Sequence, residues 1–375
     1  MVDNSFSMRQ EQAALVEELP RIVQVLADGD RDGDGSQDFT PLASIHVGVI
    51  TSDMGVGGVS LPAAARCNEN LLGDDGVLLT EPRGEDSSCA ASYPPFLEFM
   101  GGSDDPAVFA ADVGCLASTG VAGCSFEQQL EAVLKALTPA GSDVVFEHVN
   151  RGTLVRSTQG HGGSGVNGGF LRDTSMLAIV MVTDEDDCSS RDIGLYDFQS
   201  QDTPYPLPLD DQGGGAPGMH CPTYREAQYD VFKRYVSGLL AVRPDFHDLL
   251  VFAVLSGVSP EVIAANTTTE TIEGHTRTVT DYEGILASPS MQELANDDGS
   301  KLVPSCIRPN PDDPTNPAVS NYADPPRRLV QVAQGLDQLG ANGVIASICQ
   351  ARDPENGDFQ ADFSPAVDEI LLAAR

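Results

Sequence analysis

The sequence predicts an α/β fold built on a doubly wound, mostly parallel sheet with helices on both faces. The first observation is a set of four buried strands, SIHVGVITSD (44–53), MLAIVMVTDED (176–186), DLLVFAVLSG (248–257) and NGVIASIC (342–349). Their β-branched and nearly continuous apolar content is typical of strands covered on both faces. A shorter stretch, GVLLTE (76–81), is predicted to be an edge strand.

The second observation is the alternation of these strands with amphipathic helices, which is expected of parallel βα units. Helical periodicity covers residues 15–26, 126–137, 232–240, 327–336 and 364–375. Pro20 lies inside the first of these helices and can kink it. Ser364 and Pro365 form a start signal for the last one.

The chain is predicted to form one domain spanning residues 1–375. Long polar insertions are expected at roughly 54–124, 141–174, 187–223 and 258–326. None of them contains enough apolar periodicity for a core of its own, so they are interpreted as functional or ordered loops of one domain.

The charge balance limits the possible partners. The chain has 56 acidic residues against 21 basic ones, a formal net charge of −35. Nucleic acid and anionic membranes would repel such a chain, so neither is an expected partner. No apolar run approaches the ~18 residues of a transmembrane helix. The composition fits a protein that holds cations.

Eight cysteines, without any CxxC spacing, lie mainly among loop-forming residues. An even number of loop cysteines indicates disulfides and an oxidising compartment, the alternative being reduced thiols in the cytosol. Pairing of sequence neighbours predicts four bridges, Cys67–Cys89, Cys115–Cys124, Cys188–Cys221 and Cys306–Cys349.

A candidate metal site begins at DNSFS (3–7), where Asp3, Ser5 and Ser7 stand at alternate positions before a helix. Asp184 follows the strongest predicted strand. Because ligands of parallel sheets bind beyond the carboxyl ends of the strands, these side chains are predicted to meet. Their hard oxygen atoms suit Mg²⁺. The alternative is an N-terminal segment in which Ser7 caps the helix.

Asp-x-Ser-x-Ser, an amphipathic helix and a later strand ending in Thr183-Asp184 resemble the von Willebrand factor type A (VWA) domain of the bacterial secreted or surface type. The resemblance implies a metal-ion-dependent adhesion site. In it Ser5 and Ser7 bind Mg²⁺, Mn²⁺ or Ca²⁺ through their hydroxyl groups. Asp3 and Asp184 bind directly or through water. The remaining coordination position would take an exposed carboxylate of a protein ligand.

The chain departs from the family pattern in two places. Where the family has a threonine on a second loop, this sequence reads GCSFEQ, so Ser125 is the predicted ligand and Glu127 the alternative. The family also has a buried strand before the first motif, whereas only Met1 and Val2 precede it here. Either the site lies on a short stub of strand or residues are missing upstream. We expect missing residues that supply both this strand and an export signal, which predicts an extracytoplasmic protein.

A second candidate cation site lies in DRDGDGSQD (30–38). Its acidic residues match the ligand positions of an EF-hand-type loop and predict Ca²⁺ binding by Asp30, Asp32, Asp34 and Asp38. Position 12 is Pro41 instead of glutamate, which predicts weak affinity and a bracing role. The alternative is a flexible acidic connection.

The sequence therefore predicts a non-enzymatic binding or adhesion protein that captures an acidic group through a divalent cation. Two alternatives remain, a metal-dependent hydrolase and a calcium- and disulfide-braced scaffold with a vestigial site.

Overall fold

The computed structural model describes residues 1–31, 34–59, 61, 67, 72–84, 86–200, 202–213, 215–272, 275–316 and 321–373. The α-helices are α1 (Arg9–Asp28), α2 (Pro106–Ala117), α3 (Gln129–Leu137), α4 (His220–Thr223), α5 (Ser237–Leu240), α6 (Pro260–Asn266), α7 (Tyr282–Ala287), α8 (Arg327–Gln338) and α9 (Ser364–Ala373). A π-helix, Val231–Val236, leads directly into α5. The strands are β1 (Ser44–Val47), β2 (Leu97–Met100), β3 (Phe146–Asn150), β4 (Thr153–Thr158), β5 (Leu177–Val182), β6 (Leu250–Ser256), β7 (Thr267–Ile272), β8 (His275–Thr280), β9 (Cys306–Arg308), β10 (Asn321–Ala323), β11 (Asn342–Ser347), β12 (Ala351–Asp353) and β13 (Asp358–Ala361).

The central element is a parallel sheet in the order β11-β6-β5. The first residues of the chain run along the outer edge of β5. The Met1 amino group donates to the carbonyl oxygen of Val180 at 2.7 Å, and the Asp3 amide donates to that of Val182 at 3.0 Å. On its other side, the Val2 amide donates to the carbonyl oxygen of Ile50 at 2.9 Å. The N-terminus is therefore held against the sheet by backbone hydrogen bonds.

The predicted doubly wound, mostly parallel sheet is wrong. Only three strands form a parallel sheet, and the other described strands form five separate two-stranded antiparallel sheets. The predicted parallel strand 44–53 is shortened to β1, which pairs antiparallel with β2, and residues 76–81 contain no strand. Beyond β5 the pairing is reduced to one bridge between Val2 and Val182.

The predicted helices all lie where helical periodicity placed them, in α1, α3, the π-helix with α5, α8 and α9. Pro20 lies inside α1. Sequence reasoning missed α2, which lies in the first predicted insertion. Its start is well specified, because the Asp105 side chain accepts a hydrogen bond from the Ala107 amide and Pro106 occupies the first helical turn.

The core lies on both faces of the parallel sheet. Every residue of β6 is buried. Leu250, Phe252 and Val254 pack in the cluster that contains the apolar face of α8, whereas Val251 and Ala253 pack against α9. This two-sided burial explains the continuous apolar composition of the strand, since neither face meets water.

Four disulfides link the eight cysteines. Cys188–Cys221 and Cys306–Cys349 are confirmed. The predicted pairs Cys67–Cys89 and Cys115–Cys124 are wrong, because Cys67 pairs with Cys124 and encloses the Cys89–Cys115 bridge. Cys115 lies on α2, which sequence reasoning missed, and the position of this helix brings Cys115 to Cys89 instead of Cys124. Such disulfides are typical of oxidising, extracytoplasmic compartments.

Among the described residues, no helix combines the length and the apolar character needed to cross a bilayer.

Candidate metal centre

Asp3 and Asp184 lie at the carboxyl ends of neighbouring segments of the sheet. Asp3 follows the residues that run beside β5, and Asp184 is separated from the end of β5 by Thr183. The Thr183 hydroxyl group donates a hydrogen bond of 2.6 Å to Asp3 Oδ2, so the two loops are in direct contact. The Gln129 side-chain Nε2 donates to the same hydroxyl oxygen at 3.0 Å, which connects the start of α3 to the centre.

The carboxylate of Asp3 organises the DNSFS turn. Its Oδ1 atom accepts hydrogen bonds from the Ser5 amide at 2.8 Å and from the Ser52 hydroxyl at 3.0 Å. Together with Thr183, three donors therefore fix a side chain that is fully buried. Because both carboxylate oxygens already accept hydrogen bonds, Asp3 is placed to orient the turn and to reach an ion through water.

The Ser5 and Ser7 hydroxyl oxygens lie 3.1 Å apart. The Ser7 hydroxyl group also lies close enough to the carboxyl group of Asp184 to interact with it. Asp184 is 6 % exposed, and its Oδ1 atom has no hydrogen-bond partner among the described residues. The structure thus brings together Asp3, Ser5, Ser7 and Asp184, and it leaves one buried carboxylate oxygen unsatisfied beside two hydroxyl groups.

The second-loop ligand is the least supported member of the predicted set. Ser125 is exposed, and it lines a cavity beside the centre. Glu127, two residues later, is buried and interacts with the Glu185 carboxyl group. Glu127 is also close enough to Asp3 for the two charges to interact. Of the two candidates from this loop, Glu127 therefore has an interaction with the centre.

The electrostatics of the centre are dominated by buried carboxyl groups. Burial raises the pKa of Asp3 and Glu185, and it raises the pKa of Glu127 and Asp184 well above their ordinary values. The negative charge of Asp3 raises the pKa of the other three further. No described lysine or arginine contributes to these four shifts. A bound cation would offset both the burial and the repulsion.

The residues present fit a hard divalent ion. Mg²⁺ and Ca²⁺ bind oxygen ligands, and the centre offers hydroxyl and carboxylate oxygens only. In the part of the chain that the structure describes, no three His, Cys, Asp or Glu side chains are arranged to hold a metal ion. An ion here would therefore depend on the Ser5 and Ser7 hydroxyl groups as well as on Asp184.

Sequence reasoning missed two residues of the centre, Ser52 and Asp324. The Asp324 amide donates to the carbonyl oxygen of Asp184 at 2.8 Å. Burial, followed by the charges of Glu185 and Asp186, raises the pKa of Asp324 to about 8. Asp324 follows β10, in a predicted insertion without a motif, so nothing in the sequence connects it with Asp184.

In the second candidate cation loop, carboxyl groups form hydrogen bonds with backbone amides of the same loop. The carboxyl groups of Asp30, Asp34 and Asp38 accept hydrogen bonds from the amides of Gly35, Ser36 and Arg31, respectively. Gly35 has a φ of +86°, a left-handed conformation that allows a sharp turn in the loop. Asp32 lies outside the described residues. The loop follows the far end of α1, about 30 Å of helix from Ser7, so it is separate from the Asp3 centre.

Comparisons of the chain with protein-family models, with curated proteins and with solved structures gave no match. The chemistry of the centre is therefore argued from its own geometry.

Proposed function

We propose that this protein is a non-enzymatic, extracytoplasmic binding protein that captures an acidic group of a protein ligand through a divalent cation. Ser5, Ser7 and Asp184 would bind Mg²⁺, Mn²⁺ or Ca²⁺ directly, and Asp3 would bind through water. The observation that carries the proposal is the unpartnered Oδ1 atom of buried Asp184 beside the Ser5–Ser7 hydroxyl pair. In these residues the centre resembles the metal-ion-dependent adhesion site of VWA domains.

The exposure pattern supports capture of a ligand from solvent. Asp3, Ser5 and Asp184 are buried, whereas Ser7 and Phe6 are exposed. An ion would therefore be held from the protein side and approached from the Ser7 side. Phe6 is 55 % exposed and supplies an apolar contact surface next to this approach.

The charge of the protein makes the ion necessary for such a ligand. A net charge of −35 repels an acidic partner at long range. That repulsion is screened beyond about 8 Å at physiological ionic strength, whereas direct coordination to the ion acts at contact distance. We also propose that the protein is secreted or displayed at the cell surface, where the four disulfides would keep the loops around the centre in place.

The proposal is tested by water proton relaxation of bound Mn²⁺. An ion with open coordination positions carries exchangeable water and enhances relaxation. A short peptide with a central Asp is expected to displace that water and lower the enhancement, whereas the same peptide with Asn is not. Equal effects of the two peptides would refute capture of a carboxylate.

The matched variants are Ser7→Ala and Ser164→Ala, which each remove one hydroxyl group from an exposed serine. Ser7→Ala is expected to weaken Mn²⁺ binding about tenfold or more, because a ligand is lost, and Ser164→Ala is expected to leave it unchanged. If both variants bind Mn²⁺ like the wild type, the ion does not occupy this centre.

A metal-dependent hydrolase is the second candidate, and the Glu127–Glu185 pair favours it. These carboxyl groups interact with each other beside the centre, and burial first and charged neighbours second raise their pKa values, as a general acid or base requires. This function predicts Mn²⁺-dependent turnover of model esters or phosphodiesters that is lost in Glu185→Gln. Absence of turnover by the ion-loaded protein would exclude those substrates.

A further inference from the structure

A cavity of about 500 Å³ adjoins the candidate metal centre. Its walls are largely apolar and include Phe126, Phe198, Leu207 and Leu302. Its volume lies within the range of pockets for small organic groups, and the combination of apolar walls with a few polar groups is typical of such pockets.

The polar groups of this cavity are mainly acidic. The charged residues of the described lining are one arginine, Arg225, and four acidic residues, Glu127, Glu185, Asp186 and Asp324. Four carboxyl groups therefore share the lining with one guanidinium group. An anionic occupant is therefore disfavoured, and a cationic one is favoured.

Among these carboxyl groups Arg225 pairs with Asp186, and its other donors are engaged by Glu293 and Gln228. One nitrogen contacts Asp186 at 2.7 Å and also Glu293, and the other donates to Gln228 at 2.9 Å. Asp186 in turn accepts a hydrogen bond from the Arg328 amide at 3.0 Å. The Arg225–Asp186 pair is thus satisfied and forms part of the wall.

Asp324 is the carboxyl group that lacks a partner. Among the described residues, none donates a hydrogen bond to its side chain, although its backbone amide is bound. The charge of Lys301 interacts with that of Asp324, but the Lys301 side chain lies over the Tyr322 ring, with its Nζ atom 4.5 Å from the ring centre. The Asp324 carboxyl group therefore faces the cavity without a bonded cation.

We propose that this cavity binds an organic cation, an ammonium or guanidinium group on an apolar body. The head group would lie against Asp324 and Glu185, and the body would pack on Phe126, Phe198 and Leu207. Charge-assisted hydrogen bonds to carboxylates and cation–π contact with the phenyl rings are the interactions that such a group makes. A hydrated metal ion would leave the apolar walls unused. The inference does not depend on ion binding at Asp184.

The test uses 2-phenylethylammonium and its neutral analogue 2-phenylethanol, titrated calorimetrically into the full-length protein in EDTA. Saturable binding of the ammonium compound is expected, with the alcohol weaker by about tenfold or more, because a charged hydrogen bond is lost. Equal binding of the two compounds, or no saturable binding of the ammonium compound, would overturn the proposal.

Two substitutions locate the site. Asp324→Asn is expected to weaken 2-phenylethylammonium about tenfold, whereas the matched control Asp312→Asn, at an exposed aspartate, leaves it unchanged. Leu207→Gln changes a half-buried wall residue and is expected to weaken 2-phenylethylammonium but not methylammonium. The melting temperature of each variant reports folding, and equal loss in Asp312→Asn or no loss in folded Asp324→Asn counts against the cavity.

Two further arms identify the source and exclude an ion site. If the occupant is a basic side chain of a protein ligand, a lysine peptide should bind and its acetyl-lysine form should not. If the occupant is a free amine, neither peptide should bind. Addition of Mg²⁺ to the Ser7→Ala variant is expected to leave amine binding intact. One-for-one displacement of the amine by Mg²⁺ there would show that the cavity is an ion site and would overturn the proposal.

Discussion

Replacement of Asp184 by asparagine has opposite expected effects on the ion-free and the ion-loaded protein. The side chain is 6 % exposed and is surrounded by carboxyl groups rather than by basic residues. Without an ion, the folded protein holds this group at a raised pKa, because of burial first and the charges of Asp3 and Glu185 next. Asp184→Asn removes that unfavourable charge and keeps the shape of the side chain. We therefore expect the variant in EDTA to melt at the same temperature as the wild type or higher.

The pH dependence in EDTA has a definite sign. Because the folded-state pKa of Asp184 is raised, the folded protein binds its proton more tightly than the unfolded chain does. The stability of the wild type relative to Asp184→Asn is then highest below the unfolded pKa of about 4 and falls as pH rises toward the folded pKa. A rise in the stability of the wild type relative to Asp184→Asn with increasing pH would contradict the burial of an ionised group.

The ion reverses the order of the two proteins. At about 100 times Kd, a ligand that binds only the folded state stabilises it by about 2.7 kcal/mol. The unfolding entropy is about 2.1 cal/mol/K per residue, or about 0.8 kcal/mol/K for 375 residues. The wild type should therefore melt about 3 °C higher in saturating Mg²⁺ or Mn²⁺ than in EDTA. Asp184→Asn should lose most of this shift.

Differential scanning calorimetry in EDTA and in saturating Mn²⁺ measures both effects, with Asp312→Asn as an exposed control of the same chemical change. The control should keep the full shift. If Asp184→Asn keeps the full ion-dependent shift, or if the wild type has none, the assignment of the ion to this centre is refuted.

Two further predictions concern the fold. Asp75 Oδ1 lies 2.5 Å from Lys135 Nζ of α3, and Asp75 Oδ2 lies 3.0 Å from His161 Nε2. Burial raises the pKa of Asp75, but His161 and Lys135 lower it more, so Asp75 contributes stability above about pH 4 that is lost as pH falls. The difference in unfolding free energy between the wild type and Asp75→Asn, measured by urea unfolding, should therefore shrink between about pH 5 and pH 3. An unchanged difference would contradict the pairing of Asp75 with His161 and Lys135. Removal of the Cys306–Cys349 bridge, which closes a loop with a sequence separation of 43 residues, should lower the free energy of unfolding by about 4 kcal/mol in Cys306→Ala/Cys349→Ala, and a loss below about 1 kcal/mol would contradict the predicted constraint.

The sequence predicted the elements whose signal is local. Helical periodicity identified α1, α3, α8 and α9, and continuous apolar composition identified β5, β6 and β11. Both signals arise because each element buries a defined face, or both faces, against the same core. The partners of the strands were less accessible, since β1 has a parallel-type composition and pairs antiparallel with β2. That pairing depends on contacts with a segment far away in the chain.

The candidate centre shows the same division between local and non-local information. Asp3, Ser5 and Ser7 could be grouped because alternate positions of an extended turn share a direction, and Asp184 because it follows a strand. Asp324 could not be found, because it reaches the centre through the β9–β10 hairpin and a backbone hydrogen bond to Asp184.

The most direct measurement of the central claim is an anomalous difference map from crystals of the protein grown with Mn²⁺. A peak about 2.2 Å from the Ser5 and Ser7 hydroxyl oxygens and Asp184 Oδ1 is the expected result. Full Mn²⁺ occupancy elsewhere, with no density between these three atoms, would contradict the account.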